Sequence, residues 1–195
     1  MSTFAREYLA EAKEILSSID LDKIESLAAQ MAGLREAGGR LFILGVGGSA
    51  AHASHAVNDF RKLCNVEAYT PTDNVSELSA RVNDDGWETS FVRWLKGSRL
   101  CADDGILVFS VGGGCREKSV SVNLTLSIDL AKEVGAKVFG IVGRDGGYTA
   151  QKADACVVIP PLYPSRVTPH TEGLCALIWH LLVSHPTLQQ NSTKW

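Results

Sequence analysis

The sequence contains no CxxC pair, and its five cysteines are spread singly along the chain. An odd number of isolated cysteines fits neither a disulfide framework nor a zinc knuckle, so both kinds of cysteine-built module are excluded. Reduced, unpaired thiols are typical of a reducing compartment, and we therefore expect a cytoplasmic protein.

A basic surplus and a long apolar run are also missing. The formal net charge is −3, whereas a general nucleic-acid-binding protein usually has a basic face, so we expect no nucleic-acid partner. No segment reaches the roughly 18 apolar residues of a membrane span, so we expect no membrane association. Acidic residues interrupt the apolar periodicity of segment 1–16, and we do not expect a signal peptide there.

What is present is the composition of one globular domain. The 195 residues are 45% hydrophobic and 21% charged, as in a folded chain with a full-sized core. We find no repeat, low-complexity tract or linker, and expect a single domain over 1–195. Segment 1–38 predicts two amphipathic helices, the second capped by Asp20 and ended by Gly38 and Gly39, whose apolar stripes invite association between copies.

After residue 39, short apolar runs rich in β-branched residues alternate with helical periodicity. Such runs are typical of strands buried on both faces of a parallel sheet. The predicted strands are 40–46, 66–70 (the weakest), 105–111, 137–143 and 155–160. The predicted helices are 49–63, 74–82, 86–98, 117–134, 146–153 and 169–184. This alternation predicts a three-layer α/β sandwich around a mostly parallel, five-stranded sheet.

Glycine-rich loops follow three of the predicted strands, and ligands of such sheets bind outside the carboxyl ends of the strands. In segments 45–49 (GVGGS) and 110–116 (SVGGGCR), glycine allows backbone N–H groups to approach an anion closely. Tight turning would explain one such loop on its own, but two neighbouring loops favour an anion site. The third loop, 143–147 (GRDGG), we interpret as a turn.

The helix after the first glycine loop carries His55 and Asp59, four residues apart. Their side chains lie about 40° apart around a helix axis, so they can share a proton or ligate a metal. A solvated ion pair would have the same spacing. In the last helix, Glu172 and His180 are about 80° apart. His180 lies in an apolar run and is a core residue unless it faces the first pair.

Several segments, taken in order, resemble the SIS-domain phosphoheptose isomerases over nearly the whole chain: GVGGSAAHASHAVNDF, VNDDGWE, the serine-and-glycine loop, GIVGRDGG and TPHTEGLCALIWH. The resemblance implies a flavodoxin-like SIS domain that converts sedoheptulose 7-phosphate to D-glycero-D-manno-heptose 7-phosphate in bacterial heptose biosynthesis. It also implies a homotetramer with active sites between subunits and with segment 1–38 in the bundle that joins them.

The resemblance further implies roles for particular residues. Asp59 is the expected base and His180 the expected acid of an enediol route, with His55 and Glu172 also in the catalytic set. Members of the family that bind zinc use positions that here are His55, Asp59, Glu172 and His180. The expected substrate-binding residues are Gly47, Gly48, Ser49, Asn83, Asp84, Ser110, Gly112, Gly113, Gly114, Ser119, Thr168 and Glu172. Capping would equally explain Asn83 and Asp84, which precede a predicted helix.

The chain departs from the family pattern at its site. Asp59 replaces a longer Glu and Glu172 replaces a Gln, so a metal would meet two carboxylates and two imidazoles, a good set for Zn²⁺. Val46 stands where Asn is common. The loop SVGGGC matches only Ser110 of the family's Ser-Thr-Ser-Gly-Asn-Ser. This last change keeps open an SIS-domain enzyme for another phosphosugar. A non-catalytic tetrameric SIS protein that assists replication initiation would not need the catalytic set.

Overall fold

A computed structural model describes residues 3–193 of the chain, along which helices and strands alternate. The strands are β1 (Leu41–Leu44), β2 (Ala68–Tyr69), β3 (Gly105–Ser110), β4 (Lys137–Val142) and β5 (Ala155–Val158). The helices are α1 (Phe4–Ser17), α2 (Leu21–Glu36), α3 (Gly48–Cys64), α4 (Val75–Asp85), α5 (Trp87–Gly97), α6 (Val122–Val134), α7 (Gly147–Lys152) and α8 (Val167–Ser184). A short 3₁₀ turn, Pro164–Arg166, leads into α8.

The strands form one parallel sheet in the order β2-β1-β3-β4-β5. Leu41 pairs with Ala68 on one side and with Gly105 on the other. The order therefore reverses at β1 and β3, the point where flavodoxin-like sheets open a ligand crevice at their carboxyl edge. The predicted α/β class is confirmed, and all strand pairs in the described part of the chain are parallel.

Different helices bury the two faces of the sheet because successive side chains of a strand point to opposite faces. Leu41 and Ile43 join the core formed with α2, α3 and α8. Phe42 and Leu44 join the core formed with α5 and α6. Burial on both faces explains why these strands are apolar at every position rather than alternating with polar residues.

Two predicted boundaries are wrong, each for a local reason. The helix predicted over 117–134 begins only at Val122, because Cys115 and Val120 exchange two backbone hydrogen bonds of 2.9 Å and close a turn. The helix predicted over 74–82 continues to Asp85. Asn83 and Asp84 therefore lie in the last turn of α4 and do not cap α5, which begins after Gly86.

The two N-terminal helices are present as predicted. The Asp20 carboxylate caps α2 by accepting hydrogen bonds from the N–H groups of Asp22 at 3.0 Å and Lys23 at 3.4 Å. Large apolar side chains remain exposed on this pair of helices: Phe4, Leu9, Leu16 and Leu21. Within residues 3–193, no helix has the length and apolar character that crossing a bilayer requires.

The inner face of α1 carries a buried carboxylate. Glu11 is 6% exposed and accepts hydrogen bonds from Arg166 Nε at 2.8 Å and from His170 Nε2 at 2.8 Å. The ring of Tyr8 stacks on His170 with centroids 4.4 Å apart. The hydrogen bonds from Arg166, and then from His170, lower the pKa of Glu11 to about 2. This contact anchors α1 to the beginning of α8.

We expect Glu11→Gln to make the stability of the protein less dependent on pH in the acidic range. The pKa of Glu11 is lower in the folded protein than its ordinary 4.5, so its stabilising contribution is complete above pH 4.5 and is lost as the pH falls toward 2. Melting temperatures measured across this window should therefore fall less steeply for Glu11→Gln than for the wild type. Glu133→Gln, at an exposed site on α6, should behave like the wild type. Parallel slopes for Glu11→Gln and the wild type would contradict this assignment.

The amino edge of the sheet is held by a buried ion pair. Asp104, 2% exposed, accepts hydrogen bonds from the Arg40 side chain at 2.7 and 3.0 Å and from the backbone N–H groups of Arg40 and Cys101, each at 3.0 Å. Burial acts to raise the pKa of Asp104, but the hydrogen bonds from Arg40 and Cys101 outweigh burial and hold this pKa below its usual value. The pair ties the chain before β1 to the chain before β3.

Removing the guanidinium would leave the Asp104 carboxylate buried beside fewer donors. We expect Arg40→Ala to lower the free energy of unfolding by about 3 kcal/mol, measured by denaturant titration. Arg93→Ala removes an exposed pair, with Asp85 at 3.3 Å, and should cost under about 1 kcal/mol. Similar losses in the two variants would show that the Arg40 pair contributes no more than a surface contact.

Candidate functional site

The candidate site lies at the carboxyl edge of the sheet, where the loops after β1, β3 and β4 meet α8. The loop after β1 turns into α3 within a few residues. Gly47 has φ +62°, and a Cβ built on Gly45 would overlap the Ser49 carbonyl oxygen. Glycine at these two positions lets the strand pass directly into the helix. Ser49 is buried in the first turn of α3.

One face of α3 meets α8 at a cluster of imidazoles and a carboxylate. Asp59 Oδ2 lies 3.6 Å from His55 Nε2 and 3.9 Å from His180 Nε2. The rings of His55 and His180 are nearly perpendicular, with centroids 5.3 Å apart. The structure thus brings together three of the residues predicted to be catalytic. The His180 side chain is 49% exposed, so the alternative that it is a core residue is wrong.

The His180 ring is oriented by its own helix. Its Nδ1 lies 2.8 Å from the Ala176 carbonyl oxygen. Because a carbonyl can only accept, Nδ1 carries the hydrogen, and Nε2 is directed to the cluster. Trp179, fully buried, stacks on His180 with centroids 3.5 Å apart and meets the edge of His55 at 4.8 Å. The indole therefore supports both imidazoles, a role that the sequence analysis missed.

Asp59 is held in a similar way. Its Oδ1 accepts a hydrogen bond from Asn58 Nδ2 at 2.8 Å, while Oδ2 faces the two histidines. The Asp59 side chain is 15% exposed, so solvent reaches the carboxylate only in part. Asp59 and His180 thus each have one polar atom hydrogen-bonded within their own helix and one polar atom directed to the cluster.

Glu172, also predicted to be catalytic, contacts a different part of the site. A Cβ built on Gly48 would lie 2.6 Å from Glu172 Oε1, so the absence of a side chain at Gly48 makes room for this carboxylate. The negative charge lies at the N-terminus of α3, where the helix dipole favours it. Among the described residues, the group with ligand atoms close enough for a shared metal is His55, Asp59 and His180.

The second glycine loop, 110–116, is hydrogen-bonded to the first turn of α7, which follows the third loop. The Gly113 carbonyl accepts hydrogen bonds from Thr149 N at 2.9 Å and Thr149 Oγ1 at 2.7 Å, and the Gly114 carbonyl accepts one from Tyr148 N at 2.9 Å. The backbone N–H groups of Tyr148 and Thr149, in the first turn of α7, therefore find their hydrogen-bond acceptors in this loop. Ser110 Oγ accepts the Gly113 N–H at 3.0 Å, which leaves the hydroxyl hydrogen of Ser110 free to donate to a ligand.

The remaining predicted substrate-binding residues are exposed and lie outside the cluster of His55, Asp59 and His180. Ser119 is exposed in the turn closed by Cys115 and Val120. Thr168 is exposed in the first turn of α8. Asn83 and Asp84 are exposed on α4 and hydrogen-bond to each other at 2.7 Å. Within residues 3–193, no hydrogen bond or ion pair joins these residues to the cluster of His55, Asp59 and His180.

The donor set suits zinc. Two imidazole nitrogens and one carboxylate oxygen, all within 4.8 Å of one another, match the three protein ligands of catalytic zinc sites that keep a fourth position open. Tetrahedral ligands at the usual zinc distances are about 3.3 Å apart. The observed 3.6 and 3.9 Å separations from Asp59 Oδ2 therefore need only small side-chain movements.

The chain is similar in sequence to two kinds of bacterial protein. The chain is 33% identical over 191 residues to the lincomycin biosynthesis protein LmbN of Streptomyces lincolnensis, covering 92% of this chain and 68% of that protein. It is 30% identical over 160 residues to the phosphoheptose isomerase of Chlorobaculum tepidum, covering 78% of this chain and 73% of that enzyme. No protein-family model matches the chain.

Solved structures show the same fold. The phosphoheptose isomerase of Neisseria gonorrhoeae superposes with a TM-score of 0.78 at 24% identity, over 92% of this chain and 96% of that one. At this level of identity the superposition establishes a shared fold. The family is established by the sequence relatives, which are 30% identical to this chain or more.

Gly113 and Gly48 allow a matched test of where the backbone of the site requires glycine. Gly113 has φ +67°, and a Cβ there would overlap the Gly146 carbonyl oxygen. We expect Gly113→Ala to lower the free energy of unfolding by about 2–4 kcal/mol. A Cβ on Gly48 meets only the movable end of Glu172, so Gly48→Ala should change it by less than about 1 kcal/mol. Denaturant titration of both variants checks this, and equal losses would contradict it.

Proposed function

Because this chain belongs to the SIS-domain phosphoheptose isomerase family, we propose that it converts sedoheptulose 7-phosphate to D-glycero-D-manno-heptose 7-phosphate. The reaction is an aldose–ketose isomerisation. The observation that carries the proposal is the meeting of Asp59 on α3 and His180 on α8, 3.9 Å apart at the carboxyl edge of the sheet. A carboxylate and an imidazole at this separation are a suitable pair for moving protons on one small substrate.

The chemistry requires two proton movements on the open-chain sugar. Asp59 takes a proton from C1 to give an enediol and returns it to C2. His180, as the imidazolium, gives the Nε2 proton to the oxygen on C2 and takes one back at Nε2 from the oxygen on C1, so that the ketone becomes an alcohol and the alcohol becomes an aldehyde. Asp59 Oδ2 and His180 Nε2 suit these roles, because the other polar atom of each group is already hydrogen-bonded within its helix.

The same residues suit a metal-dependent variant of the site. His55, Asp59 and His180 would hold Zn²⁺, while the Glu172 carboxylate lies outside this group, beside Gly48. The ion would supply Lewis-acid polarisation of the carbonyl and hydroxyl oxygens. Trp179 would keep both imidazoles in place for either role.

Assembly and location follow the family. We propose a homotetramer in which α1 and α2 join the subunits and the active sites lie between them. The exposed Phe4, Leu9 and Leu21 support such an association, since burying large apolar side chains stabilises a complex. The unpaired cysteines support a reducing, cytoplasmic environment.

A second phosphosugar remains the alternative substrate. The phosphate loop of this chain offers Val111, Gly112 and Cys115 where the family has hydroxyl side chains. One relative, at 33% identity, is named for lincomycin biosynthesis rather than for heptose synthesis. Both observations favour a related isomerisation on a different phosphorylated sugar if sedoheptulose 7-phosphate is not turned over.

The test is turnover of sedoheptulose 7-phosphate by purified protein, first stripped of metal and then with Zn²⁺ added. We expect Asp59→Asn and His180→Ala each to lower kcat by about 10²–10⁴-fold. Turnover restored by Zn²⁺, with zinc content lost in both variants, would assign His55, Asp59 and His180 as ligands. Turnover that needs no metal would assign direct proton transfer to Asp59 and His180.

His52→Ala is the matched control, because His52 lies on the same helix and makes no hydrogen bond or ion pair within the described residues. Its kcat should stay near that of the wild type. Wild-type-like turnover in both Asp59→Asn and His180→Ala would refute the residue assignment, and no wild-type turnover in either metal state would refute the substrate.

A further inference from the structure

Arg144, in the turn between β4 and α7, lies directly beside the second glycine loop. A Cβ built on Gly112 would lie 3.6 Å from Arg144 Cδ and 3.9 Å from Arg144 Nε. The two loops are joined by a hydrogen bond of 3.2 Å from Gly143 N to the Ser110 carbonyl. The side chain of Arg144 is therefore placed over the loop by the sheet itself, since β3 and β4 are paired neighbours.

The backbone of Arg144 is in a conformation that favours glycine. Gly146 N donates to the Gly143 carbonyl at 2.9 Å, which closes a β-turn with Arg144 at its second position. Arg144 has φ +51°, and turns with a positive φ at this position are dominated by Gly, Asn and Asp. For a long side chain, this conformation costs about 1 kcal/mol or more. Arg99 has a similar φ of +55°, so what distinguishes Arg144 is the place and charge of its side chain.

The positive charge of Arg144 has no partner in the described part of the chain: its side chain is exposed, and no hydrogen bond or ion pair reaches it. The neighbouring cation, Arg116, is already paired with Asp129 and lies over the Tyr148 ring at 4.9 Å. The guanidinium of Arg144 is thus available for an external anion, and its planar donors match phosphate oxygens.

Arg144 is also close to the turn of α8 that carries Glu172. A Cβ built on Gly143 would lie 2.8 Å from Thr171 Cγ2, which places Arg144 next to this part of α8. The carboxylates of Asp59 and Glu172 make the site negative, so a doubly charged phosphate needs a compensating cation. Apart from Arg116, which is paired with Asp129, the glycine loop offers only neutral donors.

We propose that Arg144 binds the phosphate group of the substrate, together with the backbone N–H groups of Gly112 and Gly114. Neither of these N–H groups makes a hydrogen bond within residues 3–193. Its charge would bind the phosphate where the loop SVGGGC lacks the hydroxyl side chains of the family pattern. This inference rests on the proposed function for its ligand, a phosphorylated sugar, and it adds a residue that the sequence analysis interpreted as part of a simple turn.

The test compares Arg144→Gly with Arg99→Gly. Arg99 is exposed, has φ +55° and lies in the turn before β3, so glycine relieves a similar backbone cost at both sites. Both variants should be at least as stable as the wild type. Inorganic phosphate should raise the melting temperatures of the wild type and Arg99→Gly, but less so that of Arg144→Gly, because specific binding stabilises only the folded state. Arg144→Lys should keep part of the shift, since it retains the charge without the planar donors.

The change in melting temperature caused by inorganic phosphate tests the inference independently of turnover. A shift that is equal in Arg144→Gly and the wild type, or no shift in the wild type, overturns it. If the wild type also turns over sedoheptulose 7-phosphate, Arg144→Gly should raise KM by about 10-fold or more with kcat within about threefold. An unchanged KM would overturn the inference as well. Absence of turnover together with an Arg144-dependent shift would refute the proposed substrate and leave the anion site standing.

Discussion

The site depends on the close packing of α8 against the carboxyl edge of the sheet. Thr171 meets Gly143 at distances that leave no room for a side chain on that glycine, and the Glu172 carboxylate occupies the space beside Gly48. This packing brings His180 to Asp59, although the two lie far apart in the sequence. Helix α1 secures the arrangement from outside, because Glu11 binds Arg166 and His170 where α8 begins. The N-terminal segment therefore contributes to the geometry of a site that it does not enter.

The amino edge of the sheet contains a stabilising ion pair, whereas the carboxyl edge contains the candidate site. At the amino edge, both oxygens of the buried Asp104 carboxylate accept hydrogen bonds from Arg40 or Cys101. At the carboxyl edge, the N–H groups of Gly112 and Gly114 make no hydrogen bond within the described chain. Polar groups left without protein partners cost stability when they are shielded from water, unless a ligand satisfies them. Unpaired N–H groups in the glycine loop at the carboxyl edge are consistent with a ligand crevice there.

Local patterns predicted the fold well, because burial on both faces makes the central strands apolar and because Asp20 caps α2 by chemistry that is visible in the sequence. They failed where long-range contacts or the backbone conformation determine the structure. The pairing of Cys115 with Val120 is a turn within a segment of helical composition. The exposure of His180 depends on which face of α8 meets α3, and periodicity alone does not reveal that face in an apolar helix. Arg144 was overlooked because a residue string carries no φ value, and GRDGG is a normal turn sequence.

The changed phosphate loop has a consequence for selectivity. A loop rich in hydroxyls binds phosphate through neutral donors that other polar groups can also satisfy. A guanidinium with backbone N–H groups selects more strongly for an anion, because its charge is poorly compensated by a neutral ligand. Recognition of the phosphorylated end would then rest on charge, and discrimination among sugars would fall to the other end of the crevice. There, Asp59 has a shorter side chain than the glutamate typical of the family. Its reach is set by α3 and by the hydrogen bond from Asn58. The distance between the proposed anion site at Arg144 and the proposed proton-transfer site at Asp59 and His180 would then determine which phosphosugar fits.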